Sequence, residues 1–224
     1  MIKSIKIVIL IFSCIFINNS FADISLGSTR IVISDGKNEG SVSAHNRDKI
    51  NYLIQSWVLD ENDKETDKFA ITPPLFKLES NTSSSLRVVM VGDLPEDRES
   101  LYWLNVKFIP STDKNIDANK LTFAVNNRIK VIYRPESLSF SEPVEVFKRV
   151  SVRYVDGNIE FKNPTKYFIN ISEVKVNDVI LKSPSYIEPE SSVLVSVGNK
   201  KKPSRVGYTL IDDLGKLNLF QAEL

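Results

Sequence analysis

From Thr29 onward the chain is a succession of short β-branched and aromatic runs, each closed by turn residues, and no stretch carries a long amphipathic helical pattern. That rhythm restricts the chain to an all-β fold. The first half reads as strands at Thr29–Ile33, Ser41–Asn46 and Tyr52–Leu59, the last centred on Trp57. Phe69–Leu78 follows, interrupted by Thr72-Pro73-Pro74, and then Leu86–Val91 and Leu101–Ile109. Ser34-Asp35-Gly36 and the charged stretch Asp60–Asp67 supply a turn and a solvated loop. A last, longer segment runs from Asn119 to Pro135 without an internal Gly or Pro. Seven or eight strands within residues 29–135 predict an immunoglobulin-like β-sandwich. The Cys pair of antibody domains is missing, so apolar packing must hold the two sheets together.

Glu136–Pro143 mixes Ser and Glu and ends in Pro, which reads as a linker, residues 136–143. A second series of short runs follows: Val150–Val155, Ile159–Lys162, Tyr167–Val176, Val179–Leu181, Val193–Val197, Val206–Ile211 and Leu217–Ala222. Asp156-Gly157 is a tight hairpin signal, and Asn163-Pro164-Thr165 breaks the series. The chain is therefore expected to carry an immunoglobulin-like sandwich at 23–135 and a second, smaller β-sandwich at 144–224, with no internal sequence repeat linking them.

Met1–Ala22 is expected to stand outside the fold. Lys3 and Lys6 precede a short apolar core, and Ser20-Phe21-Ala22 has the small–x–small form of a cleavage site, the pattern of a signal peptide. Cys14, the one cysteine, lies inside it, so the mature chain is expected to have no disulfide, thiol nucleophile or Cys-based metal site. Removing Lys3 and Lys6 leaves 27 basic against 28 acidic residues, a net charge of −1. A nucleic-acid partner would want a basic surplus instead. The single His45 reads as a surface residue, and no Cys–His pair or His cluster is available, so neither an enzyme nor a metal or cofactor site is expected.

Within Asn119–Pro135 the first half alternates. Leu121, Phe123 and Val125 share one face, with Thr122, Ala124 and Asn126 on the other. Lys130 interrupts the apolar run Ile129, Val131, Ile132, an awkward place for a charge. It lies on the opposite phase from Phe123, so a bulge or twist must intervene if both face one partner.

The stretch Leu94–Ser111 carries Asp97-Arg98-Glu99-Ser100, Trp103, Asn105-Val106 and Ile109-Pro110. It resembles the signature of the periplasmic chaperones that assemble pili by the chaperone–usher route. Thr29-Arg30, Thr72-Pro73-Pro74, Ile129-Lys130, Tyr133-Arg134-Pro135, Asn163-Pro164-Thr165 and Asp212-Asp213-Leu214-Gly215 extend the resemblance along the chain. The resemblance implies two immunoglobulin-like sandwiches set at an angle, like a boomerang, with a cleft between them. Arg30 and Lys130 would hold the C-terminal carboxylate of a pilus subunit there, through charge-assisted hydrogen bonds. Without the motif, Lys130 would read as snorkelling from a strand edge and Arg30 as paired with a surface acid.

The resemblance further implies that the long strand, through Leu121, Phe123 and Val125, is lent to a subunit whose own sandwich lacks a strand. Glu99, Arg134 and Asp213 match an inter-domain charge network, with Asp213 aligning better than Asp212. The short loop Ser111–Asn119 and the missing cysteine pair point to the short-loop branch, which serves rod-forming adhesive pili. The implied partners are pilus subunits and an outer-membrane usher, in the periplasm, with self-association through the exposed edge in the free protein. A secreted immunoglobulin-like adhesin or binding module would explain the two sandwiches but not the Arg30/Lys130 pair.

Overall fold

The computed structural model describes residues 24–34, 36–111, 122–138, 143–177, 179–198 and 201–224. The leader with Cys14, Leu121, most of the Ser111–Asn119 loop and half of the linker lie outside the described residues. In the first half these residues form β1 (Ile24–Leu26), β2 (Arg30–Ile33), β3 (Glu39–Asn46), β4 (Tyr52–Leu59) and β5 (Phe69–Thr72). They continue with β6 (Leu75–Leu78), β7 (Thr82–Met90), β8 (Ser100–Pro110) and β9 (Val125–Tyr133). One sheet runs β1-β3-β7-β5 and the other β2-β9-β8-β4-β6.

Alternation builds the core between these sheets. Val42 and Ala44 of β3 and Leu86 and Val88 of β7 face Ile54 and Val58 of β4, Leu104, Val106 and Phe108 of β8, and Ile129 and Val131 of β9. Ile31 and Ile33 of β2 close one end. There the sheets come so near that a Cβ on Gly40 would lie 2.3 Å from Ile31 Cγ2, which leaves room only for glycine.

β2 is the one parallel partner of β9, and it covers only Lys130–Tyr133. Among the described residues, β9 from Val125 to Ile129 is hydrogen-bonded to β8 alone, so its other edge is open. One expectation, the extent of the long strand, is corrected. The long strand begins at Val125, leaving Phe123 ahead of it. The ladder pairs Phe108 with Val125, and two residues further it would set Phe123 opposite Pro110. Pro110 has no N–H to donate, so the pairing ends. The register is unbroken from Val125 to Tyr133, so no bulge interrupts this stretch, and Lys130 and Val125 lie on opposite faces.

The second half opens with α1 (Pro143–Phe147), a short helix that the sequence reading did not contain. Proline suits a first helical position, where an N–H would be unpaired anyway. The turn tucks Val146 and Phe147 into the second core, so the expected linker runs into structured chain at its last residue. β10 (Ser151–Val155), β11 (Asn158–Asn163), β12 (Ile169–Val176), β13 (Val179–Leu181) and β14 (Tyr186–Ile187) follow, with β15 (Ser191–Ser196), β16 (Arg205–Ile211) and β17 (Leu217–Glu223). Their sheets run β10-β11-β15 and β13-β12-β16-β17, with β14 beside β12. Asp156 and Gly157 both take positive φ, 46° and 83°, as a two-residue hairpin requires.

A third cluster joins the halves. Leu101 and Ile132, on the outer faces of β8 and β9, pack on Phe168, with Val32, Trp103 and Tyr186 around them. β8 and β9 thus bury one face in their own core and the other against the second sandwich, and this double burial sets the chemistry of the cleft.

Candidate functional site

In β2, Ile31 and Ile33 turn inward, which leaves Arg30 and Val32 on the face toward the second sandwich. In β9, Ile129 and Val131 turn inward, which leaves Lys130 and Ile132 on that same face. The parallel pairing sets Arg30 directly beside Lys130. Both are nearly buried, at 7% and 9% exposure.

Their surroundings differ. Arg30 Nε and Nη1 are buried with no hydrogen-bond partner among the described residues. Burial pushes the Arg30 guanidinium down, with Asp213 and Asp212 pulling the other way from a distance. Lys130 Nζ donates to Asn170 Oδ1 at 2.6 Å and to the Ser185 carbonyl at 3.0 Å. It also sits 5.0 Å from the Tyr186 ring centroid and 5.8 Å from that of Trp103. Burial, and then the adjacent Arg30 charge, lower the Lys130 ammonium to about 8. Neither cation is in ion-pair contact with a carboxylate of the described residues. A buried charge without a counterion is costly, and the two unpaired guanidinium N–H groups add to that cost. An arriving carboxylate would relieve both.

Glu99, Arg134 and Asp213 meet at the domain junction. Arg134 Nε donates to Glu99 Oε1 at 2.6 Å, and its Nη1 and Nη2 donate to Asp213 Oδ2 and Oδ1 at 2.8 and 3.2 Å. The second Glu99 oxygen accepts the Phe168 N–H at 2.6 Å. The start of β8, the end of β9 and two loops of the second sandwich are thereby tied together. Burial pushes Glu99 up to about 7, while Arg134 and the Phe168 amide pull it back. Burial also works against the Arg134 charge, but Asp213 and Glu99 outweigh it and raise its pKa. Asp212 does other work: its Oδ1 accepts the Leu214 and Lys216 N–H groups and shapes the turn that presents Asp213.

Beyond the cations, the open edge of β9 carries apolar side chains into solvent. Phe123 is 70% exposed and Val125 42%, beside backbone groups that no strand of the described residues covers. Neither lies in the core between the two sheets of its own sandwich.

Residues 23–139 match the family described as pili and flagellar-assembly chaperone, PapD N-terminal domain, and residues 145–221 match its C-terminal domain. The chain is a PapD-family pili-assembly chaperone. It is 34% identical over 206 residues to the chaperone protein FocC of Escherichia coli, covering 90% of each chain. It is 32% identical over 200 residues to the chaperone protein FimC of Escherichia coli strain K12, covering 88% of this chain and 82% of that one. Among solved structures it superposes on a Salmonella enterica SafA pilin–SafB chaperone complex with a TM-score of 0.81 and 26% identity, covering 92% of this chain and 99% of that one. On the Escherichia coli chaperone DraB the TM-score is 0.78 at 33% identity, covering 90% and 98%. The two sandwiches share the angled, boomerang-like arrangement of these neighbours.

Sequence reasoning missed the residues that hold Lys130, and it noted the Asn163-Pro164-Thr165 motif without its role. Asn170 and the Ser185 carbonyl hold Lys130 from the second sandwich, and Tyr186 flanks it. Asn163, fully buried, donates to the Tyr167 and Glu188 carbonyls and accepts from Thr165, so the Asn163-Pro164-Thr165 motif forms the knot that presents the Phe168 amide to Glu99. Asn170 looks like any strand-flanking polar residue. Only a polar residue between the apolar Ile169 and Ile171 hinted that it faces something other than water.

Proposed function

We propose that this chaperone works in the periplasm after cleavage of residues 1–22, captures pilus subunits, and delivers them to an outer-membrane usher. Arg30 and Lys130 take the subunit's C-terminal carboxylate, and the open edge of β9 completes the subunit's unfinished sandwich. One observation carries the reading: two buried neighbouring cations, with no carboxylate partner among the described residues, lie at one end of a strand edge that no described strand pairs and that bears exposed apolar side chains. The backbone edge of Val125–Ile129 supplies ladder hydrogen bonds that many sequences can accept, while Phe123 and Val125 fill a groove. Burying these two side chains contributes about 3–6 kcal/mol before ordering costs. Leu121 is proposed as a third donated side chain. Lys130 faces the cleft from the opposite phase, so it and Val125 meet different parts of one partner, the chain end and the groove. Glu99, Arg134 and Asp213 fix the angle between the sandwiches rather than add much stability, because desolvation offsets the Coulomb gain. In the free chaperone the same edge is open to a second copy.

Co-expression with a pilus subunit tests the reading. Arg30→Ala, Lys130→Ala and Phe123→Glu should each abolish recovery of the subunit from the periplasm while thermal unfolding of the chaperone stays cooperative. A charge at Phe123 cannot enter an apolar groove unpaired. Normal subunit recovery with Arg30→Ala would sink the carboxylate anchor, and with Phe123→Glu the strand donation.

A further inference from the structure

Both acceptors that hold Lys130 are neutral, and both come from the second sandwich. Asn170 is 3% exposed and sits in the register of β12 opposite Ile211 on β16. An aspartate there would be nearly the same size and would set a permanent internal carboxylate against the Lys130 ammonium. Among the described residues no carboxylate pairs with Lys130. Arg30 lies beside it on β2. Arg128, from β9, stacks on Trp103 and pairs with Asp63. Tyr186 presents a ring from β14, Asp213 is held by Arg134, and Asp212 shapes its turn. Lys130 is therefore fixed in position yet still charged and uncompensated below the pH of about 8 to which burial lowers it.

Building on the carboxylate-anchor reading, we propose that Asn170 is a positioning and specificity-determining residue. Its neutral amide aims the Lys130 ammonium into the cleft while reserving the charge for the terminal carboxylate of the bound subunit. The anchor is then shared between the two sandwiches, so the Glu99–Arg134–Asp213 junction also sets where the ammonium points.

The test uses one synthetic strand peptide of alternating apolar residues in two forms, ending in a free carboxylate or in a carboxamide, titrated into the purified chaperone. The wild type should prefer the free acid, and that preference should fade as pH rises through about 8. Asn170→Asp should cut the acid-over-amide preference by about tenfold or more, because the internal carboxylate occupies the ammonium. It should also move the fading of any remaining preference to higher pH, since an adjacent carboxylate raises a lysine pKa. Asn170→Ser, which shortens the acceptor without adding charge, should weaken the acid peptide several-fold and leave the pH midpoint in place. An undiminished preference in Asn170→Asp overturns the role of Asn170 alone. Should that variant fail to fold, unchanged acid affinity in Asn170→Ser overturns it instead. If the wild type does not distinguish the two peptides, the carboxylate anchor itself fails and takes the proposal with it.

Discussion

Titrating the free chaperone from about pH 7 to above pH 10 isolates the cost of burying the Lys130 ammonium. Lys130 sits at about 8 in the folded protein, against 10.5 for an unperturbed lysine. Burial is the main cause and the Arg30 charge the second. Below about 8 both folded and unfolded chains carry the proton, and Lys130 adds no slope. Between the two values the unfolded chain binds a proton that the folded one lacks, so stability rises with pH, by about 1.4 kcal/mol per unit. Above 10.5 neither state carries it and the gain levels off. Integrated over the window, the rise is about 3 kcal/mol. Urea unfolding at a series of pH values, taken as wild type minus Lys130→Met, cancels the tyrosines and other lysines that titrate in the same range. The difference should grow by about 3 kcal/mol in favour of the wild type as the pH climbs. With a carboxylate bound, the lysine regains its proton affinity, so the affinity for an acid-terminated partner should fall over this window. Parallel stability curves for wild type and Lys130→Met would refute the reasoning, showing that the ammonium is solvated rather than desolvated in the cleft.

Arg134→Ala should destabilise the chaperone by about 3–5 kcal/mol at neutral pH, since Glu99 would be left buried without its cation. The loss should shrink as the pH falls and Glu99 protonates; urea unfolding at two pH values reads both effects. Asn163→Ala should cost about 2–4 kcal/mol, because the Tyr167 and Glu188 carbonyls lose their donor, and thermal or chemical unfolding measures it. Edman sequencing of protein recovered from the periplasm should begin Asp23-Ile24-Ser25; a product retaining Met1 would contradict cleavage after Ala22.

Much of the architecture was written locally. Turn residues and two-residue alternation set out the two sandwiches, because a strand's faces and a hairpin such as Asp156-Gly157 depend on neighbouring residues alone. The Leu94–Ser111 motif pointed to the family, and with it to Arg30, Lys130, Glu99 and Arg134. What the sequence did not contain was partnership. Where the long strand starts was decided by Pro110 on another strand, through a register that only the assembled sheet fixes. The run Ile129-Lys130-Val131-Ile132 looks anomalous by itself. It makes sense once a second sandwich covers the outer face of β9, so that all four side chains are buried and alternate between two environments. Asp212 and Asp213 are adjacent and identical in chemistry, and only the turn geometry assigns one to the backbone and the other to Arg134. Asn170 lies 40 residues from the lysine it holds. Backbone propensity acts over a few residues, whereas the pairing of buried charges depends on which distant strands close-pack, and that is settled only when the two sandwiches meet.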